Sequence, residues 1–249
     1  MIANYHTHSR WCRHGKGELE DFVQEAIHHG LKEIAFTEHV PHREGFSWLP
    51  WEEFPMYDHA LNEVKERFKD QIRVIKGFEC EYYPEDCNVY RMFIEEYGYE
   101  MLILGHHNYG AAHDHSVFRT KPEEDLFIYT EEVCAGLESG LFRFVAHPDC
   151  VLEKYAGGWD DAAEQAMRMI FAQCEKLDIP VEINCGGIRS HRAYPSEDAF
   201  RLSGEYKLRY LIGSDAHRPQ DLNDYAVQAA EDMATRLNLT VTQILKQKI

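Results

Sequence analysis

"IANYHTHSRWCRHGKGELEDFVQEAIHHGLKEIAFTEH", residues 2–39, holds two short apolar runs separated by one amphipathic segment. "IANYH" (2–6) and "EIAFTEH" (33–39) each have the length of a buried strand. Between them, residues 17–30 place Leu19, Phe22, Val23, Ala26 and Ile27 on one stripe, and Gly30 is a helix stop. Both runs end on histidine. His6 and His8 follow the first, with His14 close behind, and Glu38 and His39 close the second.

The rest of the chain repeats the rhythm. Further runs are "IRVIKGFEC" (72–80), "EMLILGHH" (100–107), "FRFVAH" (142–147), "PVEIN" (180–184) and "RYLIGSDAH" (209–217). Helical patterns occupy 52–69, 86–97, 122–139, 159–178 and 219–237, and "YPSEDAF" starts a shorter helix capped by Ser196. Strand alternating with helix implies a parallel sheet. His6, His39, Glu79, His107, His147 and Asp215 fall at or just past the ends of six different runs. An open sheet gathers ligands at one crevice, whereas a barrel brings all its strand ends around one mouth. The expected fold is therefore α/β, a seven-stranded variant of the β/α barrel, with residues 1–249 as a single domain.

Composition narrows the function. Of 249 residues, 44% are hydrophobic, enough for a sizeable core. No apolar stretch of about 18 residues occurs, so no membrane span is expected. The N-terminus lacks a basic region followed by an apolar run, and a cytoplasmic location is expected. The seven cysteines are odd in number and scattered, with no C-x-x-C, which suits a reducing compartment and idle or buried thiols. Cys12, among the first histidines, is the one possible exception. The formal charge of −17 repels phosphate backbones, so nucleic acid is not the expected partner.

Each ligand motif alone is modest. In "HTH" the alternation puts both rings on one side of an extended chain, so both could reach one ion, yet H-x-H also occurs as a plain surface pair. Adjacent residues on a strand face opposite ways, so only one of His106 and His107 is expected at the site. His28, His29 and His59 read as solvated, and His113 and His115 as residues of a polar loop. Six strand-end ligands in one alternating pattern carry more weight than any of them. Histidine and carboxylate without cysteine suit zinc, iron or manganese in a hydrolytic site, and nine such ligands suit two or three ions.

From "YHTHSRWCRHGKGELEDFVQEAIHHGLKEIAFTEH" to "IGSDAHRP", these motifs resemble the PHP family, the polymerase and histidinol phosphatase superfamily. The first segment is most similar to its monofunctional histidinol-phosphate phosphatase branch. The resemblance implies a distorted (β/α)7 barrel with a trinuclear metal centre. It implies His6, His8, Glu79 and Asp215 on one ion, and Glu79 bridging to a second held by His107 and His147. His14, His39 and His217 would hold a third. It also implies Arg189, in "EINCGGIR", as a clamp on substrate phosphate, with Arg192, Arg119 and His42 as further substrate contacts.

The expected chemistry is hydrolysis of a small phosphate ester, with inorganic phosphate as product. A hydroxide shared by metals attacks phosphorus in line, because bound cations lower the pKa of water from about 16 towards 7. L-histidinol phosphate is the first substrate to test, and Glu81, Glu38 or Asp149 could give an acidic mouth for its amino and imidazole groups. The alternatives are a phosphatase or phosphodiesterase for a sugar phosphate, nucleotide or cyclic phosphate, a metal-dependent amidohydrolase, and a non-catalytic metal-binding domain. Amidohydrolases commonly set a lysine at a strand end, where this chain has Glu79.

Overall fold

The computed structural model describes residues 1–41 and 48–245. Four strands form a parallel ladder in chain order: β1 (Ala3–Asn4), β2 (Glu33–His39), β3 (Arg73–Cys80) and β4 (Met101–Leu104). After a two-stranded antiparallel hairpin, β5 (Asn108–Tyr109) and β6 (His115–Ser116), the parallel pair β7 (Val181–Asn184) and β8 (Tyr210–Gly213) completes the strands. Helices α1 (Leu19–His28), α2 (Phe54–Phe68), α3 (Cys87–Glu95), α4 (Glu123–Glu138), α5 (Asp161–Leu177) and α8 (Tyr225–Arg236) alternate with them, and the short α6 (Cys185–Arg189) and α7 (Glu197–Ser203) follow β7. Among the described residues, no helix is long and apolar enough to cross a membrane.

The expected run at 142–147 makes no strand of its own. Val145 bridges Leu104 on one side and Val181 on the other. Arg143 and Ala146 donate to Leu102 and Leu104, and Glu182 donates to Val145, so the segment still links β4 to β7. It ends at once because His147 turns into the left-handed region (φ 66°) and Pro148 has no N–H to continue a ladder. At the other side Thr7 bridges Ala216, and the His8 N–H donates to the Ala216 carbonyl at 2.8 Å. The sheet is thus curled, and the chain beyond β8 comes back beside the end of β1.

Side-chain alternation divides the core in two. Ala3, Tyr5, Ala35, Ile75, Met101, Ile103, Phe144, Ala146 and Leu211 form a cluster inside the curl. Their neighbours, including Ile34, Phe36, Val74, Phe78 and Leu102, face outward into a larger cluster beneath the helices. There Phe78 stacks on Tyr99 with centroids 4.3 Å apart, against Phe54, Tyr57 and Phe93. Each such ring, fully buried, contributes about 1.5–3 kcal/mol.

Caps fix the helices that frame the site. Asp160 accepts from the Ala163 N–H at 2.9 Å to start α5, Asp178 ends it in a left-handed turn (φ 52°), and Ser196 caps α7 through the Ala199 N–H.

Candidate metal centre

A two-residue period runs up each strand from the inner apolar layer. From Ala35 it reaches Thr37 and His39, and from Ile75 it reaches Gly77 and Glu79. From Ile103 it reaches Gly105 and His107, and from Leu211 it reaches Gly213 and Asp215. The inward positions above the apolar plug are therefore small residues, then ligands. β2 and β3 are in register, with His39 opposite Glu79.

Glu79 is the hub. Its Oε1 lies 2.8 Å from His147 Nε2, 3.5 Å from His6 Nε2 and 3.8 Å from His107 Nε2. Its Oε2 lies 3.1 Å from His39 Nδ1 and 3.3 Å from His8 Nε2. Asp215 Oδ1 is 3.7 Å from His6 Nε2 and 3.6 Å from His8 Nε2. His217 lies against His8 and His14, its ring centroid 4.6 Å from each. The His14 ring is 5.4 Å from that of His39. Glu79 is 2% exposed, as are or nearly are His6, His8 and His147, so this is a buried charge cluster.

Two of its members sit on unusual backbone. His147 (φ 66°) and Asp215 (φ 45°) adopt the left-handed region, which costs a non-glycine residue of order 1 kcal/mol or more and clusters at functional sites. The turns direct both side chains inward at the ends of their runs. Glycine then makes room. A Cβ on Gly105 would lie 2.0 Å from Glu79 Oε1, one on Gly186 2.3 Å from Asp215 Oδ2, and one on Gly213 1.8 Å from Glu182 Oε1.

The donor set fits divalent cations. Four groups of three converge with their ligand atoms within 4.8 Å: His6–His8–Asp215, His6–Glu79–His147, His8–His39–Glu79 and His8–Cys12–His217. His6 Nδ1 lies 2.8 Å from the Glu182 carboxylate, which only accepts, so that nitrogen carries the proton and Nε2 presents a lone pair. His8 Nε2 faces it at 3.1 Å. Two such nitrogens and two carboxylates around one point match what a cation needs. Buried His8 Nδ1, His147 Nδ1 and Glu38 Oε2 have no hydrogen-bond partner among the described residues. The side-chain ion pairs of Glu79 and Asp215 among those residues are all with histidines.

Electrostatics follow from this crowding. Burial works to raise the Glu79 carboxyl, but the imidazoles of His6, His107 and His39 hold it well below the usual carboxylate range. Asp215 is likewise held down against burial, by His6, His217 and His8. Burial, with His107 and His14 nearby, drops His39 to about 4 despite the pull of Glu79. The rings compete for too few protons, whereas a dication would attract all of their lone pairs.

The expected ligands meet unevenly. His107 turns to the hub, and His106 turns the other way. The Tyr82 N–H donates to His106 Nδ1 at 3.2 Å, so His106 Nε2 carries the proton towards Glu132, 2.9 Å away. His14 packs on the rings of His39 and His217, but its nitrogens fall in none of the four converging groups. Cys12 does fall in one, although its thiol donates to the Ser9 carbonyl and accepts from the Gly15 N–H. Burial, with Glu38 nearby, raises that thiol.

The substrate residues need rearranging. All five Arg189 N–H groups are engaged: Nε and Nη2 grip Asp224 at 2.6 and 3.0 Å, Nη1 donates to the Ser214 and Asp215 carbonyls, and Nη2 also to that of Asp221. The expected clamp is instead a pin tying α6 to the start of α8. Arg192 is freer. Its guanidinium lies 5.1 Å above Phe118, which stacks on His107 at 5.9 Å, and its one carboxylate contact among the described residues, Glu153, is 3.4 Å away. Arg119 is exposed beside Phe118, and His42 lies outside the described residues.

The acidic mouth is also corrected. Glu38 is fully buried, held by the Ser9 N–H and hydroxyl, and burial pushes its carboxyl up to about 8. Glu81 accepts from the His107 and Asn108 N–H groups, and Asp149 from the Ser196 N–H. All three carboxylates face protein. Exposed aromatics mark the rim instead: Phe118 over His107, and Trp48, whose ring lies edge-on to His14 at 4.7 Å. The lysine on β3, Lys76, points outward to Asp58 and Asn62, so the hub has no lysine of the amidohydrolase kind.

Comparison with known proteins agrees with this geometry. Residues 4–186 match the family model described as PHP domain. A protein of Deinococcus radiodurans named "Probable histidinol-phosphatase" is 26% identical over 97% of this chain and 96% of its own length. The histidinol-phosphatase of Bacillus subtilis is 23% identical over 90% and 96%. The crystal structure of histidinol phosphate phosphatase from Lactococcus lactis, complexed with zinc, L-histidinol and phosphate, has a similar fold. Its TM-score is 0.75 at 20% identity, over 96% of this chain and 95% of that one.

Proposed function

The chain belongs to the PHP domain family, and from that premise we propose that it is a metal-dependent phosphomonoesterase hydrolysing L-histidinol phosphate to L-histidinol and phosphate. One observation carries the reading: nitrogens of five histidines lie 2.8 to 3.8 Å from the two oxygens of Glu79, with Asp215 on the same side. The substrate is supported by the names of the relatives and by the ligands of the Lactococcus lactis structure. On this reading residues 1–249 are one domain, a distorted (β/α)7 barrel in which the bridged segment at Val145 stands for the seventh strand.

His6, His8, Glu79 and Asp215 would hold one ion, Glu79, His107 and His147 a second, and His14, His39 and His217 a third. Zinc, iron and manganese all suit these donors. Bound divalent cations supply water of lowered pKa and neutralise charge growing on phosphoryl oxygens. The remaining work belongs to the protein. Glu79, with an oxygen towards each group of imidazoles, would hold neighbouring ions together. The Arg192 guanidinium, on the His107 side of the rim, offers paired N–H groups to the oxygens of the ester. Phe118 and Trp48 wall the opening and limit water around the bound ester.

Phosphate release from L-histidinol phosphate should exceed that from sugar phosphates, nucleotides and cyclic phosphates at equal concentration. Equal rates across that panel would withdraw the substrate, and no release from any ester by metal-loaded protein would withdraw the reaction. Arg192→Ala removes charged hydrogen bonds worth about 1.5–3 kcal/mol, so kcat/KM should fall roughly 10–100-fold with Tm little changed. Arg189→Ala should do the reverse, lowering Tm because Asp224 and three carbonyls lose their donor. A phosphate-binding Arg189 would instead raise KM without loss of stability.

A further inference from the structure

The nitrogens that face away from the hub divide four of the histidines into two kinds. Behind His6 stands Glu182, fully buried, its Oε1 2.8 Å from Nδ1 and its Oε2 held by the Asn184 amide at 2.9 Å. Behind His8 stands Glu38. Its Oε2 is 3.9 Å from His8 Nδ1, beyond hydrogen-bond reach, so His8 has no carboxylate bonded behind it. Behind His107 stands Glu81, its Oε1 3.2 Å from Nδ1. His14 and His217 differ: His14 Nδ1 donates to the Cys12 carbonyl at 2.7 Å, and His217 Nδ1 to the Asp215 carbonyl at 3.1 Å, with the Asp215 carboxylate, itself a proposed ligand, at 3.5 Å.

The backing matters for cation affinity. A carboxylate behind an imidazole fixes the proton on Nδ1, raises the basicity of Nε2 and adds full negative charge close to the ion; a neutral carbonyl fixes the tautomer but adds no such charge. Burial follows the same division. The side chains of His6 and His107 are 1% and 16% exposed, whereas that of His217 is 30% exposed and His14 is exposed. The two carboxylates come from separate elements, Glu182 from β7 and Glu81 from the loop after β3, so no local sequence constraint explains the pair.

We propose that Glu182 and Glu81 are positioning residues that make the part of the centre served by His6 and His107 hold its ions tightly, while the His14–His217 corner holds an exchangeable one. This deepens the metal-centre reading above and rests on it. It concerns how the ions are graded, which that reading leaves open.

The test is ion release. Zinc-loaded protein is dialysed against a series of chelator concentrations, and retained zinc is counted by elemental analysis. Wild type should give up one equivalent well before the others. Glu182→Gln should weaken the retained equivalents about 10–100-fold and leave the early one unchanged. At saturating zinc its KM for the ester should stay near that of wild type. Glu81→Gln should behave the same way, and carries the test if Glu182→Gln does not fold by circular dichroism. The grading is overturned if all equivalents leave together, if excess zinc never fills a third, or if folded carboxamide variants release zinc as wild type does. Folded wild type that takes up no zinc, manganese or iron would overturn the metal centre itself, a result distinct from ungraded release.

Discussion

Glu79→Gln lowers kcat for phosphate release by about 10³-fold or more, a barrier increase of roughly 4 kcal/mol. The size follows from position. One carboxylate, 2% exposed, faces five imidazoles through two oxygens. An amide of the same shape keeps one acceptor and turns an NH2 group towards the other set of rings. It can neither bridge two cations nor offset their charge. The fold should survive, because Gln fills the same hollow beside Gly105. The check is phosphate release and metal content on protein whose circular dichroism matches wild type. Turnover within threefold of wild type would remove Glu79 from the proposed bridging role.

Stripping the ions is expected to have the second large effect, on stability as well as turnover. An ion that binds only the folded chain adds about 4.1 kcal/mol when free metal is 1,000 times its Kd. A chain of this size moves its Tm by about 2–4 °C per kcal/mol. Each tightly held ion should thus be worth roughly 8–16 °C. Chelator should lower Tm by at least that much and abolish activity, and zinc, manganese or iron should restore both. The sign is fixed by the site: without cations, buried Glu79 and Glu182 and half-buried Asp215 are left with imidazoles and the Asn184 amide to offset them. A calorimetric scan in which metal-free and loaded protein melt together would contradict a built ion site.

Much of this was legible in the residues themselves. The run at 33–39 is β2 to the residue, and 73–80, 101–104, 181–184 and 210–213 lie within their expected runs. These are continuous apolar stretches with turn residues at their ends, where local pattern and burial agree. The rhythm also placed His39, Glu79, His107 and Asp215 at or just past the ends of their runs, which local pattern marks without knowledge of distant partners. Features that depend on distant partners were not legible. Arg189 is claimed by Asp224, 35 residues on, and nothing in "EINCGGIR" announces that. Glu38 and Glu81 read as candidates for an acidic mouth because charge near a strand end says nothing of what covers it, and Ser9 and His107 cover them. The hairpin at 108–116 is too short and polar to carry a periodic signal. Segment 142–147 has a strand's composition but loses its ladder to the turn at His147.

The hollows at Gly105, Gly186 and Gly213 bear on ionic radius. Each is filled by the carboxyl group of Glu79, Asp215 or Glu182, wedged against main chain that cannot retreat. Acids so confined cannot swing outward to lengthen their bonds, and the backbone, more than rotamer choice, sets the spacing of the proposed donors. Calcium, which takes six to eight oxygens at 2.3–2.6 Å in pliable cages, is poorly matched to such walls, whereas zinc, with bonds near 2.0–2.2 Å to nitrogen and carboxylate, is well matched. Discrimination by size would then be a property of three residues that have no side chain at all.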